Sequence, residues 1–337
     1  MPLTPSENPE HRETPGKTRT LHFVYSFECN LRCGHCLYRC GPGTGKTMSL
    51  DRAQSFLEQA SRAGVRRIVF NGGEPTLHYP ALLALTLLVR SRSMQADLVT
   101  NASWARSGRQ ARELLLELRQ AGLGGLTLST DRFHLPGVPL GWVLNALQAA
   151  RDLGIRAGVK IARLPQDPIA DGLFRELQPV ADRIVLQQVS PLGRGSFLRR
   201  TLPLRSVPLL RQPGCLSPPV LLPDGCLLTC CNLPARDLSP GDYPFVLGNL
   251  EHASLETLLE LRARDPRLDS LRKQGPVALL APASAVRPGE EPPAQALFRD
   301  GCDLCFHLAR RAIGKYLSAA GPAKGRTEDT RDHRRTS

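Results

Sequence analysis

Apolar residues between positions 50 and 155 follow the spacing of amphipathic helices, separated by short segments rich in β-branched residues. Three segments place apolar side chains at i, i+3, i+4 and i+7, which is one face of a helix. These positions are Ala53, Phe56, Leu57 and Ala60, then Ala111, Leu114, Leu115 and Leu118, then Val143, Ala146, Leu147 and Ala150. A glycine follows each one, at Gly64, Gly122 and Gly154. Glycine adopts the left-handed conformation that often ends a helix, so the pattern predicts three helices with defined ends.

Six apolar segments between these helices predict strands. They cover residues 21–27, 67–71, 96–100, 125–129, 156–161 and 183–189. From the second segment on they recur roughly every 30 residues, the length of a strand, a crossover helix and two loops. We therefore expect an α/β fold, a partial (β/α)6 TIM-like barrel over 21–200, because a closed barrel needs eight units. A doubly wound parallel sheet is the alternative.

The composition changes after Pro203, where proline and glycine become more frequent. Asp224-Gly225 lies between two apolar segments, which predicts a hairpin over 220–230. We expect a small C-terminal domain over 201–320, with a helix at 255–264 and a linker or insert at 275–298. We expect disorder in the extension 1–20 and in the polar tail 321–337.

The chain of 337 residues has a net charge of +13, to which lysine contributes only six of the 44 basic residues. The basic residues are scattered rather than gathered into blocks with aromatic residues, which argues against nucleic acid and for a solvated face or an acidic partner. The longest apolar run, 80–89, is too short to cross a bilayer. The N-terminus lacks the apolar segment of a secretion signal, so we expect a cytoplasmic protein.

Ten cysteines in a reducing compartment indicate metal or cluster ligands rather than disulfides. The first group follows the first predicted strand and reads CNLRCGHC over 29–36, with Cys40 shortly after it. Thiolates at Cys29, Cys33 and Cys36 can converge on one face of an iron–sulfur cube and leave one iron without a protein ligand. A zinc site with Cys40 as the fourth ligand is the alternative.

This motif resembles the CxxxCxxC signature of the radical S-adenosylmethionine (SAM) enzymes. The sequence NGGEP at 71–75, at the end of the second predicted strand, resembles the GGE motif of the same superfamily. The resemblance implies that the three cysteines hold a [4Fe-4S] cluster whose unique iron is chelated by the methionine moiety of SAM. It also implies that Gly72 and Gly73 allow close approach of the backbone to the methionine ammonium, with the charge of Glu74 nearby.

Further cofactor contacts are implied at the carboxyl ends of other strands. The residues are His35 near the adenine, and Asn101, Ser129 and Asp131 near the ribose or the carboxylate of SAM. Capping of the next helix is the alternative for the last three. An inward-facing Lys160 would need a carboxylate or a ligand as partner. Arg194 lies in a proline-glycine-arginine turn similar to one in many superfamily members, where we expect it to bind a carboxylate or phosphate or to lie in an exposed turn.

The second cysteine group resembles the Twitch and SPASM auxiliary-cluster domains of the same superfamily. Its implied ligands are Cys215, Cys230, Cys302 and Cys305, with Cys231 or Cys226 as substitutes for Cys230. No cysteine follows Cys305, so we expect one auxiliary [4Fe-4S] cluster and a Twitch-like domain rather than a full SPASM domain. A structural zinc site is the alternative.

The resemblance implies a radical SAM enzyme that takes one electron from a reductant such as flavodoxin or ferredoxin. SAM cleavage would give a 5′-deoxyadenosyl radical that abstracts a substrate hydrogen. We expect modification of a ribosomal peptide or protein. Because about 20 residues precede the first predicted strand, the precursor peptide would need a short leader or a separate leader-recognition protein. The alternatives are dehydrogenation of a small molecule, such as a sugar or antibiotic precursor, and a zinc-bound non-catalytic interaction module.

Overall fold

The computed structural model describes residues 18–206, 215–277 and 297–306. Its strands are β1 (Thr20–Val24), β2 (Arg67–Asn71), β3 (Gln95–Thr100), β4 (Leu123–Ser129), β5 (Arg156–Arg163), β6 (Arg183–Gln188), β7 (Arg205–Ser206), β8 (Val220–Leu221), β9 (Cys226–Leu228), β10 (Val246–Asn249) and β11 (Leu297–Phe298). Its α-helices are α1 (Leu50–Arg62), α2 (Tyr79–Ser91), α3 (Gly108–Ala121), α4 (Leu140–Asp152), α5 (Pro168–Leu177), α6 (Leu255–Arg264) and α7 (Pro266–Gln274).

Strands β1 to β6 form a parallel sheet in sequence order, joined by α1 to α5. This confirms the predicted α/β class and the parallel sheet. The strands β10 and β6 lie at the two edges of the nine-stranded sheet, which therefore stays open within the described residues. The prediction of disorder over 1–20 was wrong for Thr20, which is the first residue of β1. Thr20 is ordered because it pairs with Arg67 in the ladder between β1 and β2.

The main core lies between the sheet and the helices. Leu57, Leu115 and Leu147 belong to the predicted helical faces and are buried in one cluster with Phe23 and Leu98 of the strands. Burying each such side chain contributes about 1.5–3 kcal/mol, so the apolar face fixes the orientation of each helix. Ser49 and Ser107 cap α1 and α3 by accepting from main-chain N–H groups. Gly122 ends α3 at φ 116°, as the sequence predicts.

The C-terminal segment extends the same sheet. The hairpin of β8 and β9 turns at Gly225, which has φ 84°, and β8 pairs in parallel with β1 at His22 and Val220. Without β8, β1 would expose an unpaired edge of main-chain groups. The sheet is thus continuous across the predicted boundary at residue 200. Helix α6 has the predicted bounds and packs against α1, where Gln59 accepts from Leu255 N.

The predicted linker over 275–298 was wrong at its end, because β11 pairs with β7 in an antiparallel ladder. The rest of that segment from 278 on, the N-terminal residues 1–17 and the predicted tail lie outside the described residues. Within the described residues, no helix combines the length and the apolar character needed to cross a bilayer.

Candidate functional site

The first cysteine motif lies on a loop at the carboxyl end of β1. This loop folds back on itself through two bridges, Ser26 with Thr47 and Glu28 with Gly41. Cys29 N also donates to Gly41 O at 3.3 Å. Because the carboxyl ends of parallel strands share one edge, the bridged loop keeps the cysteines above the edge where active sites of such sheets lie.

The cysteines of this loop differ in their protonation. Burial raises the pKa of the Cys29 thiol to about 12, although Leu31 N lies 3.4 Å from its Sγ. The Cys40 side chain donates a hydrogen bond that lowers the pKa of Cys36 to about 6, and Cys40 N lies 3.3 Å from Cys36 Sγ. Cys40 therefore supports Cys36 as a thiolate, the form that binds iron.

Gly72 and Gly73 press the end of β2 against the cysteine loop. Gly73 N donates to Ser26 O at 3.0 Å, and a Cβ on Gly73 would lie 1.7 Å from Glu28 O. Gly72 has φ 129°, and its Cβ would lie 2.6 Å from Val24 Cγ1. Both positions require glycine because the two main chains are in direct contact.

Glu74 is buried, with 1% of its surface exposed, and its carboxylate joins β2 to the end of β3. It accepts from Thr76 Oγ1 and Thr100 Oγ1, each at 2.7 Å, and from Asn101 N at 2.8 Å. Burial raises its pKa against these bonds. Asn101 Nδ2 in turn lies 3.9 Å from Cys29 Sγ and donates to Asn30 Oδ1 at 2.9 Å. Two of the predicted cofactor residues thus hold the loop that bears Cys29.

Asp131 lies between two histidines at the end of β4. Its Oδ2 is 2.9 Å from His134 Nδ1 and 3.7 Å from His35 Nε2. Burial favours the neutral forms, but the pair with His134 lowers the pKa of Asp131 and raises the pKa of His134 to about 10. Burial lowers the pKa of His35 to about 4. The cluster therefore holds one carboxylate, one imidazolium and one neutral imidazole at pH 7.

His134 is a site residue that the sequence analysis did not predict. The only signal was its position three residues after Asp131, in a turn where Asp131 Oδ1 accepts from Phe133 N and His134 N.

Polar atoms without partners lie near the carboxyl end of β4. Thr130 Oγ1 and His35 Nδ1 are buried without a hydrogen-bond partner among the described residues. Lys160 pairs in register with Ser129, and its ammonium likewise has no hydrogen bond or ion pair within the described ranges. Burial lowers the pKa of Lys160, opposed by the charges of Cys231 and Asp131. This edge can therefore take up an anionic or hydrogen-bonding ligand.

Four cysteines of the second group lie within electrostatic reach of one another. Burial raises the pKa of Cys302 and of Cys305, and the charges of Cys215 and Cys230 raise both further. Cys302 and Cys305 lie one helical turn apart in the helical residues 301–306. These are the four positions that the sequence predicts as auxiliary ligands.

The other two cysteines of this group have different surroundings. Burial and the charge of Cys230 raise the pKa of Cys231 to about 12, while Lys160 acts in the opposite direction. Burial and the charge of Asp224 raise the pKa of Cys226. A hydrogen bond from Asn249 Nδ2, 3.4 Å from Cys226 Sγ, and the charge of Lys46 act in the opposite direction.

The structure excludes an exposed turn for Arg194, while its binding of a carboxylate or phosphate stays a prediction. Its guanidinium donates to Cys33 O at 2.8 Å and to Cys40 O at 2.6 Å, because the turn after β6 lies directly on the cysteine loop.

Residues 23–165 match the model of the Radical SAM superfamily. The chain is 24% identical over 163 residues to the putative peptide biosynthesis protein YydG of Bacillus subtilis (strain 168), covering 47% of this chain and 50% of that protein. It is 25% identical over 199 residues to the GTP 3′,8-cyclase of Listeria monocytogenes serovar 1/2a, covering 53% and 57%. These alignments thus span about half the length of the relatives.

The structure of Streptococcus suis SuiB bound to S-adenosylmethionine superposes with a TM-score of 0.55 at 15% identity, covering 78% of this chain and 69% of SuiB. This similarity shows a shared fold.

The parallel sheet, the cysteine loop at its carboxyl edge and the family match together define a radical SAM domain over 23–165. The match over residues 23–165 supports SAM and a [4Fe-4S] cluster as cofactors of this domain.

Proposed function

We propose that this protein is a radical SAM enzyme that holds its [4Fe-4S] cluster on Cys29, Cys33 and Cys36 and modifies a ribosomal peptide or protein. The observation that carries the proposal is the meeting of the cysteine loop with the glycine pair at 72–73. Three cysteines and a main-chain surface without side chains thereby lie at one edge of the sheet.

The residues of the site fit both cofactors. Main-chain N–H groups point at Cys29 Sγ and Cys36 Sγ, and such bonds stabilise cluster thiolates. Thr130 Oγ1, just after β4, is buried without a hydrogen-bond partner among the described residues, and Lys160 lies on the neighbouring strand β5 opposite Ser129. A bound carboxylate would satisfy an ammonium and a hydroxyl together, which removes the cost of leaving them unpaired.

When bound, the cluster and SAM supply reductive cleavage of the sulfonium to methionine and a 5′-deoxyadenosyl radical. The chain contributes binding and orientation. Lys160 and Thr130 would bind the methionine carboxylate, and Asn101, whose Nδ2 lies 3.9 Å from Cys29 Sγ, would fix the position of Cys29. Neutral His35 lies against the Phe133 ring, with centroids 4.8 Å apart, and offers a flat surface for the adenine.

The second cysteine group holds an auxiliary [4Fe-4S] cluster on Cys215, Cys230, Cys302 and Cys305 in this proposal. Cys230 is assigned rather than Cys231 because its charge acts on both Cys302 and Cys305. The same four thiols would also suit tetrahedral zinc, so the metal content must be measured.

The peptide substrate is supported by the similarity to YydG, whose name refers to peptide biosynthesis. A precursor peptide, with a separate leader-recognition protein, is therefore the proposed partner.

The proposed reductant is an acidic flavodoxin or ferredoxin. Arg32 and Lys46 are exposed on the cysteine loop, and exposed Arg236 donates to Arg39 O and Thr44 O of the same loop. None of the three has an ion-pair partner in the described part of the chain. Opposite charges favour docking there.

Anaerobic reconstitution tests the cofactors. The protein should bind about eight irons, because two [4Fe-4S] clusters hold four each. It should release 5′-deoxyadenosine with reductant and SAM. Cys33→Ala should bind about four irons and release none. Cys230→Ser should also bind about four, whereas Cys226→Ser should match the wild type. Colourless protein with zinc in place of iron would refute the proposal.

The substrate class needs a second experiment. Peptides encoded beside the gene, made with deuterated residues, should transfer deuterium to 5′-deoxyadenosine when incubated with the reconstituted enzyme. Transfer from an aminosugar and from none of the peptides would refute peptide modification and support small-molecule dehydrogenation.

A further inference from the structure

Arg194 contacts the first cysteine motif more extensively than its place after β6 would suggest. Its Nη1 and Nη2 donate to Cys33 O and Cys40 O at 2.8 and 2.6 Å. Its main-chain N donates to Cys36 O at 3.0 Å. Arg194 thus holds the main chain of the cysteine loop at three positions, although it follows Cys33 by 161 residues.

The turn that bears Arg194 is shaped to lie on this loop. Gly193 has φ 58°, and a Cβ there would lie 2.3 Å from Leu37 O. A Cβ on Gly195 would lie 2.5 Å from Ser190 O. The Phe197 ring, in the 3-10 helix Gly193–Arg200, lies 3.3 Å from the position that a Cβ on Gly34 would take. Main-chain contacts this close require glycine at 193 and 195. They hold the turn in a conformation in which the Arg194 side chain reaches the cysteine loop.

The charge of Arg194 also lies beside the cluster ligands. The guanidinium donates to the main-chain oxygens of Cys33 and Cys40, which precede and follow Cys36, at 2.8 and 2.6 Å. Three thiolates and a reduced cluster concentrate negative charge, and a cation beside them favours the more negative, reduced state. The net charge around a cluster is one of the factors that set its potential.

We propose that Arg194 is a positioning residue for the first cluster: its guanidinium holds the main chain of Cys33 and Cys40 in place before iron binds, and its charge favours the reduced cluster. The proposal rests on the proposed function for the second part only, since the clamp exists in the metal-free chain.

Two substitutions separate the clamp from the charge. Arg194→Lys keeps the charge, but a single ammonium lacks the planar fork that reaches both carbonyls. Arg194→Gln keeps one amide donor and removes the charge. Arg200→Gln is the matched control, since Arg200 is an exposed arginine of the same 3-10 helix with no side-chain partner in the described part of the structure.

Hydrogen exchange of the metal-free, reduced protein measures the clamp. Amides of 29–40 should exchange about tenfold faster in both Arg194 variants than in Arg200→Gln, because local opening becomes easier. Wild-type exchange rates in Arg194→Lys would overturn the clamp. Circular dichroism of each variant confirms that the rest of the chain is folded.

A redox titration followed by electron paramagnetic resonance measures the charge effect in cluster-loaded protein. Arg194→Gln should lose about tenfold in the ratio of reduced to oxidised cluster at a fixed potential, a shift of about 59 mV to lower potential for a one-electron couple. Arg194→Lys should stay near the wild type. A wild-type potential in Arg194→Gln would overturn the charge effect. Wild-type protein that binds no iron would refute the proposed function and the charge effect together, while the exchange experiment would still decide the clamp.

Discussion

Arg262 offers the sharpest test of how the C-terminal segment is held to the sheet. Its side chain is 1% exposed in α6, and it donates to Thr229 O at 3.0 Å and to Ser217 O at 2.9 Å. It also donates to Thr18 Oγ1 at 3.1 Å, just before β1. One guanidinium therefore joins three segments that are distant in sequence. Arg262→Met keeps most of the side-chain volume and removes the charge and every donor.

The structure sets the expected magnitude. The substitution leaves two main-chain carbonyls without this donor in a buried region, and each costs about 1–3 kcal/mol. The free energy of unfolding should therefore fall by about 2–6 kcal/mol, a large part of the total for a typical domain. Arg264→Met is the matched control in the same helix. Arg264 is 80% exposed and, among the described residues, pairs only with Glu260 at 3.3 Å, which is worth about 0.3–0.5 kcal/mol.

Denaturant unfolding of the metal-free protein under reducing conditions measures both variants. Arg262→Met should lower the transition midpoint strongly, and Arg264→Met should leave it nearly unchanged. Because Thr229 precedes Cys230, Arg262→Met should also weaken iron retention by the second cysteine group. Equal unfolding free energies for the two variants would refute the reasoning, since buried and exposed arginines would then contribute alike.

Two further predictions follow from the loop and from a helix cap. Gly73→Ala should abolish SAM binding, measured by equilibrium dialysis, or prevent folding, because its Cβ would lie 1.7 Å from Glu28 O. The control Gly108→Ala, whose Cβ would have no atom within 4 Å, should leave SAM binding unchanged. Normal SAM binding by Gly73→Ala would contradict the close contact. Asp265 accepts from Arg267 N at 2.8 Å at the start of α7, and although burial raises its pKa, the Arg267 and Tyr243 side chains lower it below the ordinary 3.8. The contribution of Asp265 to stability is therefore present above about pH 4 and is lost as the pH falls through the lowered pKa. In thermal melts, the stability of Asp265→Asn should depend less on pH in the acid range than that of the wild type. An unchanged pH dependence would assign the acid effect to other carboxylates.

Local patterns were sufficient for much of the fold. The strand of residues 67–71 and the helix of 255–264 have the predicted bounds, because each combines a regular apolar period with a clear end signal. The glycines at 64, 122 and 154 have positive φ where the sequence predicts helix ends. The pairing of β8 with β1 could not be predicted, since two-residue strands have no measurable period and depend on the edge that they cover.

The predicted site residues illustrate the same division. The spacing of Cys29, Cys33 and Cys36 and the glycine pair after β2 are local signals, and each follows directly from the sequence. The choice of the fourth auxiliary ligand among Cys226, Cys230 and Cys231 is different, because their spacing in the sequence leaves all three open. It depends on which thiol faces Cys302 and Cys305, about 70 residues further along the chain.

The sequence alone determined the succession of helices and strands and the cysteine loop at the end of the first strand, because periodicity, helix-ending glycines and ligand spacing act over a few residues. The tertiary structure decided that Arg194 holds that loop, that His134 pairs with Asp131 beside it, and that Arg262 joins the C-terminal segment to the sheet. The two arginines donate to main-chain carbonyls, which every residue type presents. Such contacts leave no pattern in the sequence of the acceptor, so only the folded chain reveals them.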